Sequence, residues 1–323
     1  MLTKLIEKLK AENTRLVFPE GNDLRILQAC SRLKKDGILD PILLGNVEEV
    51  TKIANDNYID ITNIEIIDPL NFARFDEMVK LLVELRRGKM TEEKAIASCK
   101  QSNYFGTMLV KMGLADGLLG GATYSTADTV RPALQIIKTK PEAKLVSSCF
   151  ILTKEENGEL IKYVMSDCAI NIDPSAEDLV EITMETANTA KIFDIKPVVA
   201  LLSYSTLGSG KGASVDKVRT AAELIKAKDP DFLVDGELQF DAAFSNTVAA
   251  VKAPKSQVAG HANTFIFPNI NAGNIGYKIA QRLGGYQAIG PILQGLNAPI
   301  NDLSRGCDAN EVYKMAIITA GLK

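Results

Sequence analysis

The chain has 323 residues, 46% hydrophobic and 24% charged, with a formal net charge of −3. That length exceeds the size at which one core stops growing, so two domains are expected. The composition is that of a globular protein and excludes a generally basic surface for nucleic acid. Residues 1–10 carry charges through their apolar positions and predict an amphipathic first helix rather than a leader. No apolar run reaches membrane-spanning length. Five widely spaced cysteines and one histidine, His261, leave no Cys-x-x-Cys pair and no zinc cluster. They point to free thiols in the reducing cytoplasm.

Thr14 to Pro19 reads as a buried strand, Glu20 to Asp23 as a turn and helix cap, and Leu24 to Lys35 as a helix. Asp40 to Gly45 is a second strand, and this alternation predicts βαβ units with a parallel sheet. Phe75 to Arg87 is an amphipathic helix. Arg86 near its end suits the helix dipole as well as it suits a ligand. Glu92 to Val110 continues helically, and Gly113 to Gly121 is a strand ending in two glycines. Thr123, Ser125 and Thr126 then precede a helix. That is how an α/β sheet builds an anion cradle, although all three also fit plain caps. Arg131 stands before Pro132 in apolar company, which favours ligand contact because arginine is seldom buried unpaired.

Leu145 to Leu152 and Leu160 to Met165, joined by a turn at Glu155 to Gly158, form an antiparallel pair and signal a different sheet. Ser175 to Asp178 is a capping box. The strand Lys196 to Ser203 leads into Tyr204 to Gly212, a loop that lacks both the P-loop and the dinucleotide pattern. Its glycines, Ser209 and Lys211 still suit phosphate. Asp235 to Ala242 brings carboxylates to another strand end, Lys255 and His261 lie in a polar loop, and Asn269 to Gly276 opens a helix with a row of amides. After a Gly/Pro-rich run, 290–299, Asn301 to Asp308 gathers Ser304, Arg305, Gly306, Cys307 and Asp308 at a loop-to-helix junction. There Arg305 offers a planar fork to phosphate or carboxylate. Asp308 to Glu311 is a ready capping box. A helix reaching back to Ser304 would align Ser304, Asp308 and Glu311 on one face.

Gly113 to Ala133, Ser203 to Gly212, Asp235 to Ala242, Lys252 to Gly276 and Asn301 to Cys307, in this order and spacing, resemble the phosphate acetyltransferase (phosphotransacetylase) family over almost the whole chain. The related phosphate butyryltransferases look less similar at Phe267 to Lys278. The resemblance implies two three-layer αβα domains with a cleft between them, as in isocitrate and isopropylmalate dehydrogenases, one of 1–143 plus 297–323 and the other of 144–296. It implies a cytoplasmic homodimer of acetate metabolism that acts on coenzyme A, acetyl phosphate and phosphate, without nucleic acid, membrane, metal or any cofactor beyond CoA as substrate. The reaction is reversible acetyl transfer, acetyl-CoA plus phosphate giving CoA plus acetyl phosphate.

By position, Ser304 and Arg305 match the family's catalytic pair, and Arg131 and Arg86 its substrate-binding arginines. Thr123, Ser125, Thr126, Ser209, Lys211 and Lys255 are further candidates for holding phosphate or CoA. The family's proposed base is an aspartate seven residues after the serine; here that position is Glu311, with Asp308 the other candidate. The residue types suit direct thiolate attack in a ternary complex, with arginines stabilising the oxyanion and the departing phosphate. Three rivals stay open: acyl transfer through Cys307, a non-catalytic acetyl-CoA-sensing domain, and a dehydrogenase on a similar fold.

Overall fold

The structure, a computed structural model, describes residues 2–323; residue 1, where the predicted first helix begins, lies outside the described residues. The chain forms two compact units, Met1–Lys140 with Leu296–Lys323, and Pro141–Gly295. Four strands come first: β1 (Arg15–Phe18), β2 (Asp40–Leu44), β3 (Glu65–Ile67) and β4 (Gly117–Gly120). The second unit supplies β5 (Ser147–Glu156), β6 (Glu159–Ser166), β7 (Val198–Leu202), β8 (Leu233–Leu238), β9 (Thr264–Ile266) and β10 (Gln287–Gln294). The chain then returns to the first unit with β11 (Ile300–Asp302).

In the first unit the five strands run parallel in the order β11-β4-β1-β2-β3. Leu16, Val17 and Phe18 are all buried, which makes β1 a continuous apolar run suited to a sheet covered on both faces. On one face the helices Phe75–Arg86, Glu92–Cys99 and Ser102–Lys111 close over Val17, Ile42 and Leu118. A Cβ on Gly106 would fall 2.8 Å from Leu118 and 3.0 Å from Val17, so glycine lets that helix lie close to the strands. On the other face Leu24–Lys35 packs against Ala309–Gly321, which rests on β4. The predicted helix from Glu92 to Val110 is broken at Gln101, whose extended backbone turns the chain. After the break every residue from Tyr104 to Val110 is buried.

The second unit's sheet is mixed, ordered β10-β5-β6-β9-β7-β8. β5 and β6 form the predicted hairpin. Asn157 and Gly158 both have positive φ, which gives the turn the twist a two-residue hairpin needs. Helices Ala176–Ile192 and Ala213–Lys226 cover one face, and Asn246–Lys252 and Ile270–Arg282 the other. Each unit is thus a three-layer αβα sandwich. The first part of the Gly/Pro-rich run proves to be strand: β10 pairs antiparallel with β5 and shifts register between Ile289 and Ile292. Pro291 fits there because an edge strand and a bulge leave its missing N–H unneeded. Among the described residues, no helix is long and apolar enough to cross a membrane.

Candidate active site

The first unit's sheet changes winding direction between β1 and β4, and parallel strands open a ligand crevice at their carboxyl ends beside such a switch. Three loops meet at that edge: residues 19–23 after β1, 121–125 after β4 and 303–308 after β11. The predicted anion cradle lies here and is already filled. Glu20, 5% exposed, receives the backbone N–H groups of Gly121 at 2.9 Å and Ala122 at 3.1 Å. It also receives the Thr123 N–H, and the Thr123 hydroxyl at 2.6 Å. An internal carboxylate therefore takes the donors a phosphate would otherwise meet, and Thr123 is spent on it.

Asp302, at the end of β11 and 1% exposed, plays a matching part. Its two oxygens accept the hydroxyls of Thr126 and Thr129, each at 2.6 Å. Gly121, at φ +103°, leaves room for that carboxylate; a Cβ there would collide with Asp302 Oδ1. Arg25 joins the loops. Its guanidinium donates to the carbonyls of Ala122 at 2.9 Å, Arg305 at 2.9 Å and Cys307 at 3.0 Å. Asp23, which caps the helix carrying Arg25, aims it through bonds of 3.0 and 2.8 Å. Glu20, Arg25 and Asp302 were not singled out in the sequence, where 20–23 reads only as turn and cap. Their signal, two carboxylates and an arginine beside strand ends, is too common to be specific.

Ser304 and Arg305 are exposed, and the Arg305 guanidinium makes no hydrogen bond or ion pair among the described residues. Ser304 Oγ accepts the Gly306 N–H at 3.3 Å. The last helix starts at Ala309 with Asp308 as its cap, so Ser304 lies in a turn and shares no helical face with Asp308 and Glu311. The capping box is formed: Asp308 Oδ1 accepts the Glu311 N–H at 2.8 Å, and Glu311 Oε2 accepts the Asp308 N–H at 3.1 Å. Each carboxylate keeps one oxygen outside the box. Cys307 is buried, and burial pushes its thiol up to about 11 despite Arg25 nearby. A thiol held that high is a poor acyl acceptor at neutral pH.

Arg131 is on the helix Thr126–Pro132, its side chain 56% exposed and 3.3 Å from Asp128 Oδ1. The apolar company of the sequence therefore does not bury it. Ser125 donates to Asp128 at 2.7 Å; that bond first, with Arg131, holds Asp128 below the usual carboxylate range. Arg86 ends the helix Phe75–Arg86, and its Nε is buried without a hydrogen-bond partner among the described residues. Burial raises the Tyr104 phenol, and the charges of Arg131 and Arg86 both pull against that rise. The Tyr104 hydroxyl donates to Gln135 at 3.0 Å.

The remaining candidates lie in the second unit. Ser209 Oγ accepts the Thr206 N–H at 2.9 Å within the loop 203–212. That loop folds over Glu237, which is 1% exposed and takes Ser205 Oγ at 2.9 Å, Gly208 N at 2.8 Å and Arg219. Lys211 and Lys255 are exposed, as is His261.

The chain's relationships agree with this architecture. Residues 1–320 match the family described as phosphate acetyl/butaryl transferase. A phosphate acetyltransferase of Bacillus subtilis is 53% identical over 314 residues, 97% of this chain and 96% of that one. The crystal structure of a phosphotransacetylase from Streptococcus pyogenes superposes with a TM-score of 0.96 at 56% identity, covering 99% of this chain and 97% of that one. A branched-chain phosphotransacylase from Enterococcus faecalis shares the fold at a TM-score of 0.67 and 19% identity, over 96% and 99% of the two chains. The fold is that of a phosphate acyltransferase, and the chain belongs to the phosphate acetyl/butaryl transferase family.

Proposed function

We propose that the chain catalyses reversible acetyl transfer between coenzyme A and phosphate, acetyl-CoA plus phosphate giving CoA plus acetyl phosphate. What carries this reading is the relationship to phosphate acetyltransferases along the whole chain. The exposed, unpaired Arg305 fork beside Ser304 supports it. The CoA thiolate attacks the acetyl carbonyl, and charge moves onto the carbonyl oxygen before phosphate leaves. Arg305 meets the oxyanion, Ser304 donates a hydrogen bond, and Arg131 with Arg86 holds the phosphate. Glu311 or Asp308, through the oxygen outside the capping box, takes the thiol proton. Ser125 and Thr126 support the helix that carries Arg131, while Ser209, Lys211 and Lys255 are assigned to CoA. Thiolate attack and loss of phosphate need no metal and no cofactor besides CoA as substrate. Five buried free cysteines support a cytoplasmic setting.

Thioester absorbance with CoA and acetyl, propionyl or butyryl phosphate tests this reading. Acetyl phosphate is expected to turn over fastest, and no thioester from any of the three refutes the proposal. In the same assay, the base is the residue whose amide variant, Glu311→Gln or Asp308→Asn, loses the larger share of kcat.

We also propose that the chain works as a homodimer. An apolar cavity of about 440 Å³ on the second unit, lined by Tyr163, Phe240, Phe244, Phe265, Ile279 and Tyr286, supports this. Phe240 and Phe244 are 46% and 44% exposed, a face that monomers seldom leave to water and that a second copy would cover. A solution mass equal to one chain refutes it.

A further inference from the structure

We propose that Asp302 is a positioning residue of the acetyl transfer, its carboxylate fixing the helix that bears Arg131 against the loop that bears Ser304 and Arg305. The inference rests on the function proposed above and goes beyond it, because no part of that mechanism uses Asp302. The geometry is specific. Asp302 is the last residue of β11, two residues before Ser304, and its backbone is set by the strand pairing with β4 and by the Leu303 N–H bond to Gly120 O at 2.7 Å. From this fixed point its carboxylate takes Thr126 and Thr129, one turn apart on the helix that ends in Arg131 and Pro132. That helix runs on into a π-helical turn, Ala133–Ile137, whose Ala133, Ile136 and Ile137 are buried and anchor its C-terminal end, so the carboxylate holds the other end. Two charge-assisted bonds at 2.6 Å set its rotation, and with it the approach of Arg131.

The clamp depends on charge. Each oxygen of the ionised carboxylate accepts one hydroxyl; once it is protonated, one bond must reverse so that the carboxyl donates to a threonine, and both bonds lose their charge assistance. Burial raises Asp302 from 3.8 to about 6, against the pull of the two hydroxyls. The charged groups facing it are Glu20, held at the Gly121 and Ala122 amides, which raises it, and Arg305, which lowers it. Tyr124, its phenol pushed up by burial, faces the same pair of carboxylates. From the last helix, Thr319 meets Asn301 and brings no charge. Because the folded pKa lies above the unfolded value, the stability Asp302 contributes is present at low pH and lost as pH rises through about 6. The ionised state that holds the helix is therefore maintained at a cost to stability.

The test is kcat/KM for acetyl phosphate between pH 5 and 8 in the wild type, Asp302→Asn and a Thr126→Val/Thr129→Val double variant. The wild type is expected to lose activity below about pH 6. Asp302→Asn should abolish that acid limb and lower kcat at pH 7.5 roughly tenfold, while its Tm at pH 8 does not fall. A residue with only a structural role would lower Tm and leave the limb where it was. The double variant removes both hydroxyls that the carboxylate holds, so it should lose turnover as Asp302→Asn does and show no acid limb near pH 6. It also keeps the test open if Asp302→Asn fails to fold. A limb at the wild-type pH in the double variant, or in a folded Asp302→Asn with unchanged turnover, overturns the proposal. A wild type that forms no thioester at any pH refutes the acetyl-transfer reading instead.

Discussion

Arg305→Ala is expected to lower kcat for acetyl phosphate roughly 100- to 1,000-fold, with Tm unchanged within about 2 °C. The kinetic size follows from the role proposed for the fork, since a donor aimed at developing charge is worth most in the transition state. The thermal half follows from geometry. The Arg305 side chain is exposed and unpaired among the described residues, so truncating it removes no internal bond. Its backbone carbonyl, which Arg25 holds at 2.9 Å, is present in either variant. Arg131→Ala provides the contrast, because it trims a phosphate contact made before and during reaction and should raise KM as well as lower kcat. Steady-state kinetics with a thermal melt checks both halves. Near wild-type turnover in Arg305→Ala would remove Arg305 from the mechanism.

Glu20→Ala should be the most destabilising single change at the site, by roughly 3–5 kcal/mol, lowering the first unit's Tm by roughly 10 °C. Glu20 accepts three consecutive backbone N–H groups after β4, two of them in buried residues. Alanine would leave those donors facing a void where a carboxylate had neutralised them. The same bonds set the course of the chain into the helix carrying Arg131, so activity should fall with stability. Glu20→Gln keeps one acceptor oxygen and should fall between the wild type and alanine on both scales. Differential scanning calorimetry distinguishes the outcomes. A Tm within 2 °C of the wild type in Glu20→Ala would mean that water serves those amides equally well.

Periodicity and turn chemistry made much of the fold legible. The apolar run through Val17, the Asn157-Gly158 turn and both capping boxes stand as read, because each is decided within a few residues of sequence. Strand β10 did not show itself, since edge strands tolerate Gly290 and Pro291 where central strands do not. The break at Gln101 was equally hidden: the burial of Tyr104 to Val110 after it is tertiary, which no local pattern records. At the site, the exposed Ser304 and Arg305 and the cap of Asp308 on Glu311 were visible as motifs. The internal use of the Gly-Gly loop was not, because Glu20 is 101 residues from Gly121 and only the β1–β4 pairing brings them together. Asp302 meets its threonines across 176 and 173 residues for the same reason.

At the centre of the account is transfer straight from phosphate to sulfur, with no acyl-enzyme on the way. Incubating the protein with acetyl phosphate and labelled phosphate, CoA rigorously removed, measures this most directly. The account predicts no label in acetyl phosphate until CoA is added, since the buried Cys307 thiol, held near 11, offers no intermediate. Exchange without CoA that disappears in Cys307→Ala would contradict it.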